Sequence, residues 1–117
     1  MIAEPRKTGL IGEIRAAQYL RRKGYAIVAA NYKTKTGEID IIAEYNNMLC
    51  IVEVKTRREG SLFPPSDAVD YKKEENVKSA AAAFLAAYKI NLPVRYDIIE
   101  VILSDTQYAV RHIENAF

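Results

Sequence analysis

Tryptophan is absent from this 117-residue chain, and cysteine and histidine occur once each. A lone cysteine, Cys50, excludes an internal disulfide and any cysteine-rich zinc cage. Within the apolar run around it, a buried and inert thiol is expected. His112 has no second histidine and no serine arranged around it, so a structural or surface role is expected in place of catalysis. The few glycines and prolines build no linker, and there is no internal repeat, so residues 1–117 read as one domain. No apolar run approaches the roughly 20 residues of a membrane helix, and Met1 to Lys7 hold no signal-peptide core. These absences point to a cytoplasmic protein with no membrane partner.

What is present is an ordinary globular mixture, half hydrophobic and about a quarter charged. It is enough for one modest core. The net charge of +2 identifies no partner, but its distribution is uneven. Residues 1–36 carry eight basic side chains, including Arg15, Lys33 and Lys35, against Glu4 and Glu13. Either this is a solvated helix face with its loops, or it is a basic rim that holds a polyanion.

The spacing predicts a helix from about Pro5 to Lys23, stopped at Gly24. Its apolar arc is expected to hold Leu10, Ile14, Ala16, Ala17 and Leu20, with Glu13 in the middle. A carboxylate there is costly unless it is paired or metal-bound. Gly9 and Gly12, near the same side, would admit another backbone. Tyr25 to Tyr32 reads as the first strand, and residues 58–67 as the one long loop, beside which substrate could enter. A second helix should begin near Asp70 as N-cap. Its face runs Val77, Ala80, Ala81, Phe84, Leu85 and Tyr88, with Lys73 extending it N-terminally. Pro93 to Leu103 reads as a central strand, Gln107 to Ile113 as a short last one, and Ala116-Phe117 as a docked tail. The class is α/β: a mixed central sheet flanked by helices in the order αβββαββ.

Two stretches carry the chemistry. Gly37-Glu38-Ile39-Asp40-Ile41-Ile42-Ala43 and Ile51-Val52-Glu53-Val54-Lys55-Thr56-Arg57 both alternate as strands do, and Asn46-Asn47 between them tolerates the positive φ of a tight hairpin turn. A two-residue loop puts Asp40 across from Glu53 and Glu38 across from Lys55, all on one face. Facing carboxylates destabilise a sheet unless a cation compensates them. With few nitrogen ligands nearby, Asp40 and Glu53, joined by Glu13 from the helix, suit Mg²⁺ or Mn²⁺. Lys55 beside such an ion could orient or deprotonate an attacking water, or stabilise transition-state charge. The competing reading is a surface ribbon with ordinary cross-strand ion pairs, which leaves Asp40 opposite Glu53 unexplained.

Gly9-Leu10-Ile11-Gly12-Glu13, then Gly-Glu-Ile-Asp-Ile-Ile-Ala at 37–43, then Val-Glu-Val-Lys-x-Arg at 52–57, resembles the YraN family of small bacterial proteins. That family is similar to the restriction-endonuclease-like PD-(D/E)XK nucleases, near the archaeal Holliday-junction resolvases. The similarity covers the whole chain, including Asp97 and the tail from His112 to Phe117. It implies a restriction-endonuclease-like fold, with Asp40, Glu53 and the Val54 carbonyl as metal ligands, Lys55 as the catalytic lysine and Glu13 completing the site. Lys73 matches a lysine at the start of the second helix, although the proline and further basic residues usual there are replaced by Asp70-Tyr71-Lys72-Lys73-Glu74-Glu75. With Lys73, Arg57 and Lys35 would contact nucleic acid, and Tyr71 could stack on a base.

The leading expectation is a Mg²⁺-dependent (or Mn²⁺-dependent) endonuclease acting on DNA, branched or repair-intermediate DNA included. Its alternative is a nucleic-acid-binding or scaffold protein that keeps the fold and hydrolyses nothing. A homodimer is expected only by analogy with the resolvases.

Overall fold

A computed structural model describes residues 5–60 and 70–117 of the chain. They form α1 (Pro5–Arg22), β1 (Ala26–Lys33), β2 (Glu38–Tyr45), β3 (Met48–Arg58), α2 (Tyr71–Tyr88), β4 (Val94–Leu103) and β5 (Tyr108–Ile113). This is the expected order. The long loop expected at 58–67 starts later than anticipated, because β3 continues to Arg58. Ser61 to Asp67 lie outside the described residues, and so does the expectation that substrate enters beside them.

The strands lie side by side in chain order, β1-β2-β3-β4-β5. All pairs are antiparallel except β3 with β4, which run parallel because α2 carries the chain back between them. The β2–β3 hairpin turns where the two asparagines predict. Asn46 and Asn47 take φ of 51° and 58°, the paired positive angles of a turn whose twist matches its strands. Its register runs from Tyr45↔Met48 to Ile41↔Val52.

That register sorts the side chains into two cores. Ile41, Ala43, Cys50 and Val52 face α1 and meet Ala16 and Leu20, with Ile99 and Val101 from β4. Ile42, Leu49 and Ile51 face α2 and meet Val77, Ala80, Ala81 and Phe84. Burying each such Ile or Leu contributes roughly 1.5–3 kcal/mol. Cys50 is buried, as expected, and burial pushes its thiol pKa up. The tail docks as expected: the Ala116 N–H donates to the Tyr96 carbonyl, and the Phe117 ring lies 5.3 Å from that of Tyr96.

The helices were read unequally well. For α2 the Asp70 carboxylate caps the Lys73 N–H at 3.1 Å, and Val77, Ala80, Ala81 and Phe84 are buried. Tyr88 is not; it stays exposed against the Phe84 ring. For α1 the expected apolar arc is rotated. Leu10, Ile11 and Ile14 are exposed, and the helix buries Gly12, Ala16 and Leu20 instead. The cause is close approach to β3: a Cβ on Gly12 would overlap the Thr56 side chain, whereas one on Gly9 would meet nothing. Gly12 therefore serves the packing role expected of both glycines, and Gly9 does not. No helix among the described residues is long and apolar enough to cross a membrane.

Candidate active site

The site forms where β2 leaves β3. Their ladder ends at Ile41↔Val52, so the expected pairing with Glu53 stops one residue short of Asp40. Its carboxylate replaces the missing backbone partner: Oδ2 accepts the Val54 N–H at 2.8 Å. Glu38, expected opposite Lys55, also lies beyond that ladder. It pairs with Lys33 on β1, and Lys55 lies beside Glu100 of β4.

Gly37 sets the distance between this strand end and α2. A Cβ there would come within 2.5 Å of the Asn76 carbonyl oxygen, so only glycine lets the β1–β2 turn meet the helix backbone. The result is a small cavity of about 80 Å³ lined by Glu38, Ile39, Asp40, Val52, Glu53, Lys73 and Val77. That volume admits an ion with a few waters.

Charge in the cavity is unevenly satisfied. Glu53 is almost fully buried. Its close neighbour is the Lys73 ammonium at 2.6 Å, reaching in from the capped first turn of α2. Burial works against that ammonium, but the hydrogen bond and charge of Glu53 outweigh it and hold the Lys73 pKa above its ordinary value. Burial is also what pushes the Asp40 carboxyl up, to about 6. Its Val54 N–H and Lys73 pull it down, while Glu13 and Glu53 add to the rise.

Glu13 is thus near enough to act on Asp40, but it does not line the cavity. It is half-buried, raised by burial and by Glu38, and hydrogen-bonded by the Asn31 side chain of β1. Among the described residues, no three acidic, histidine or cysteine side chains close on one point. The described donors are nonetheless the right kind: Mg²⁺ commonly takes one or two carboxylates and completes its shell with water and phosphate. Val54 fits the same set, since the N–H and C=O of a strand residue point the same way, and its N–H points at Asp40.

The expected nucleic-acid contacts separate. Lys35 is exposed in the β1–β2 turn, and Tyr71 is exposed at the start of α2. Arg57 is held 3.5 Å from the buried Glu100, and Lys73 is held on Glu53. Lys55 is half-buried on the strand face that carries Glu53. Glu100 was missed by sequence reasoning, since nothing local marks it. In β4 it looks like one polar residue in an apolar strand.

A second polar cluster lies on the α1 side. Asp97 is completely buried and takes both prongs of Arg95 at 2.9 and 2.8 Å, His112 Nε2 at 2.8 Å and the Asn115 N–H at 3.2 Å. Arg95 also donates to the Tyr25 hydroxyl. His112, buried with its ring against Tyr19, is therefore structural, as the sequence suggested.

Comparison with known sequences now adds a family. The sequence model of "Uncharacterised protein family UPF0102" matches residues 12–101. The chain belongs to this family. It is similar to UPF0102 proteins of Alkaliphilus oremlandii, 44% identical with 96% of this chain and 98% of that protein covered, and of Caldanaerobacter subterraneus, 46% identical with 93% of each covered. A UPF0102 protein of Phocaeicola vulgatus is 41% identical over 99% of this chain and 96% of its own. The part of the chain matched by the UPF0102 model runs from Gly12 to Val101, so it spans the cavity, Lys55 and Asp97.

Proposed function

We propose that this chain is a metal-dependent endonuclease of the PD-(D/E)XK kind, hydrolysing phosphodiester bonds of DNA. The observation that carries the reading is the pairing of Asp40 and the buried Glu53 in one small cavity. Setting two carboxylates, one of them buried, against the single charge of Lys73 costs stability. It is accounted for if the site is built to hold a cation.

In this reading Asp40, Glu53 and the Val54 carbonyl hold Mg²⁺ or Mn²⁺. When bound, the ion supplies Lewis-acid stabilisation of negative charge on the phosphoryl oxygens. The Val54 N–H fixes the Asp40 carboxylate in place. Lys55 follows Glu53 on the same strand face, where its ammonium orients the attacking water and offsets charge on phosphorus as the bond to the leaving sugar oxygen breaks. Lys35 and the basic first third of the chain meet the substrate backbone, and Tyr71 offers a base-stacking surface. Glu13 acts from outside the cavity through its charge.

The second reading, a nucleic-acid-binding protein with no hydrolysis, is favoured by one observation: Lys73 already neutralises Glu53. A cleavage assay separates the two. Linear, single-stranded, flapped and four-way DNA are incubated with Mg²⁺ or Mn²⁺ beside Asp40→Ala and Lys55→Ala. Wild type should cut at least one substrate, and each variant should be slower by about 10²-fold or more. DNA binding should persist in Lys55→Ala. Binding without cleavage by wild type, or equal cleavage by Asp40→Ala, would leave the second reading standing.

A further inference from the structure

The ion pair that favours the second reading has another consequence for the first. Lys73 is the cation that lines the cavity among the described residues, and its ammonium is 2.6 Å from Glu53 Oε1. The two ends of the pair differ sharply. The Glu53 side chain is 6% exposed, whereas that of Lys73 is 54% exposed. Glu53 is fixed in the sheet beside Ile98 of β4, and only the Lys73 backbone is fixed, by the Asp70 cap. Four rotatable bonds separate that backbone from the ammonium. A half-exposed lysine can therefore leave the cavity for solvent, whereas the glutamate cannot.

Resting on the nuclease reading above, we propose that Lys73 is an exchangeable counter-ion that gates the cavity. Its ammonium and a divalent ion compete for Glu53, and metal enters as the lysine swings out. Two cations on one carboxylate oxygen repel each other, so the ammonium and the ion exclude one another there. The competition has a direction. The ammonium carries one charge: it pairs with Glu53 and acts on Asp40 through its field, while Asp40 accepts the Val54 N–H. A divalent ion can take an oxygen from each carboxylate. Lys73 thus keeps the metal-free site folded while lowering its affinity for metal. By reciprocity, anything that draws the ammonium outward, such as a phosphate at the cavity mouth, strengthens metal binding by the same factor.

The test measures metal alone. Mn²⁺ is titrated into full-length wild type, Lys73→Met, Lys73→Arg and Asp40→Asn, without nucleic acid, and free Mn²⁺ is followed by electron paramagnetic resonance. Lys73→Met should bind Mn²⁺ about tenfold tighter than wild type, whereas Lys73→Arg, which keeps the charge, should gain nothing. Thermal melting gives a second readout: saturating Mn²⁺ should raise the midpoint of Lys73→Met more than that of wild type. Equal or weaker binding by Lys73→Met, with Mn²⁺ still bound by wild type and lost in Asp40→Asn, would overturn the gate and leave the nuclease reading intact. No Mn²⁺ binding by either wild type or Lys73→Met would overturn both.

Discussion

Two aspartates lie on opposite faces of the same sheet, and they are treated in opposite ways. Asp97, on the α1 side, is completely buried, yet its pKa is lowered. Burial alone would raise it, but His112, Arg95 and the Asn115 N–H together outweigh that cost. Asp40, on the α2 side, is pushed up to about 6, because the Val54 N–H and the nearby Lys73 do not offset burial and two neighbouring glutamates. Burial pushes both carboxylates up, and the supply of donors decides which of them is brought back down. Around Asp97, four chain segments converge to complete a network, which makes it part of the architecture. Around Asp40 the supply is left short, as a site awaiting a ligand would require.

The comparison breaks most easily at Asp97. Asp97→Asn leaves the buried Arg95 guanidinium without its counter-charge and should cost about 3–5 kcal/mol, read from the midpoint of chemical denaturation. A loss below about 1 kcal/mol would mean that Tyr25 and Glu114, which also contact Arg95, suffice to hold it.

Asp40→Asn should move the other way. In the metal-free protein it should stabilise by about 2 kcal/mol at pH 7, since it removes a charge the fold disfavours. The sign follows from linkage. The folded pKa of about 6 lies above the ordinary 3.8, so folding favours the protonated form. The penalty is absent below the unfolded value, grows between about pH 4 and 6, and is complete above that. The stability difference between Asp40→Asn and wild type should open across that window, and a difference independent of pH would remove the contrast between the two aspartates.

The smallest effect sharpens the same point. Arg95→Lys keeps the charge on Asp97 but loses the two-pronged contact, and should cost about 1 kcal/mol. Thermal melting followed by tyrosine fluorescence would check it. No loss would mean that charge alone, without fork geometry, satisfies Asp97.

Much of this was legible in the chain because it depends on near neighbours. Asn46-Asn47 set the hairpin register, and with it the meeting of Asp40 and Glu53, since a two-residue turn admits one alignment. Asp70 marked the start of α2, because a capping side chain acts within three residues. The alternation of β3 likewise put Glu53 and Lys55 on one face. Other features depended on how finished elements dock. The apolar residues of α1 permitted several buried faces. Contact between Gly12 and Thr56 selected the one that leaves Leu10 and Ile14 outside, so Glu13 lies beside the cavity and not in it. Lys73 was readable as a basic residue near the site, but its ion pair with Glu53 exists only once α2 settles across β2 and β3. The Asp97 cluster joins three stretches that are far apart in the chain, at 25, 95–97 and 112–115. Periodicity and capping are short-range, and the sequence by itself determined what they govern. Which charges meet in the interior is decided by packing between segments, and that only the tertiary structure supplied.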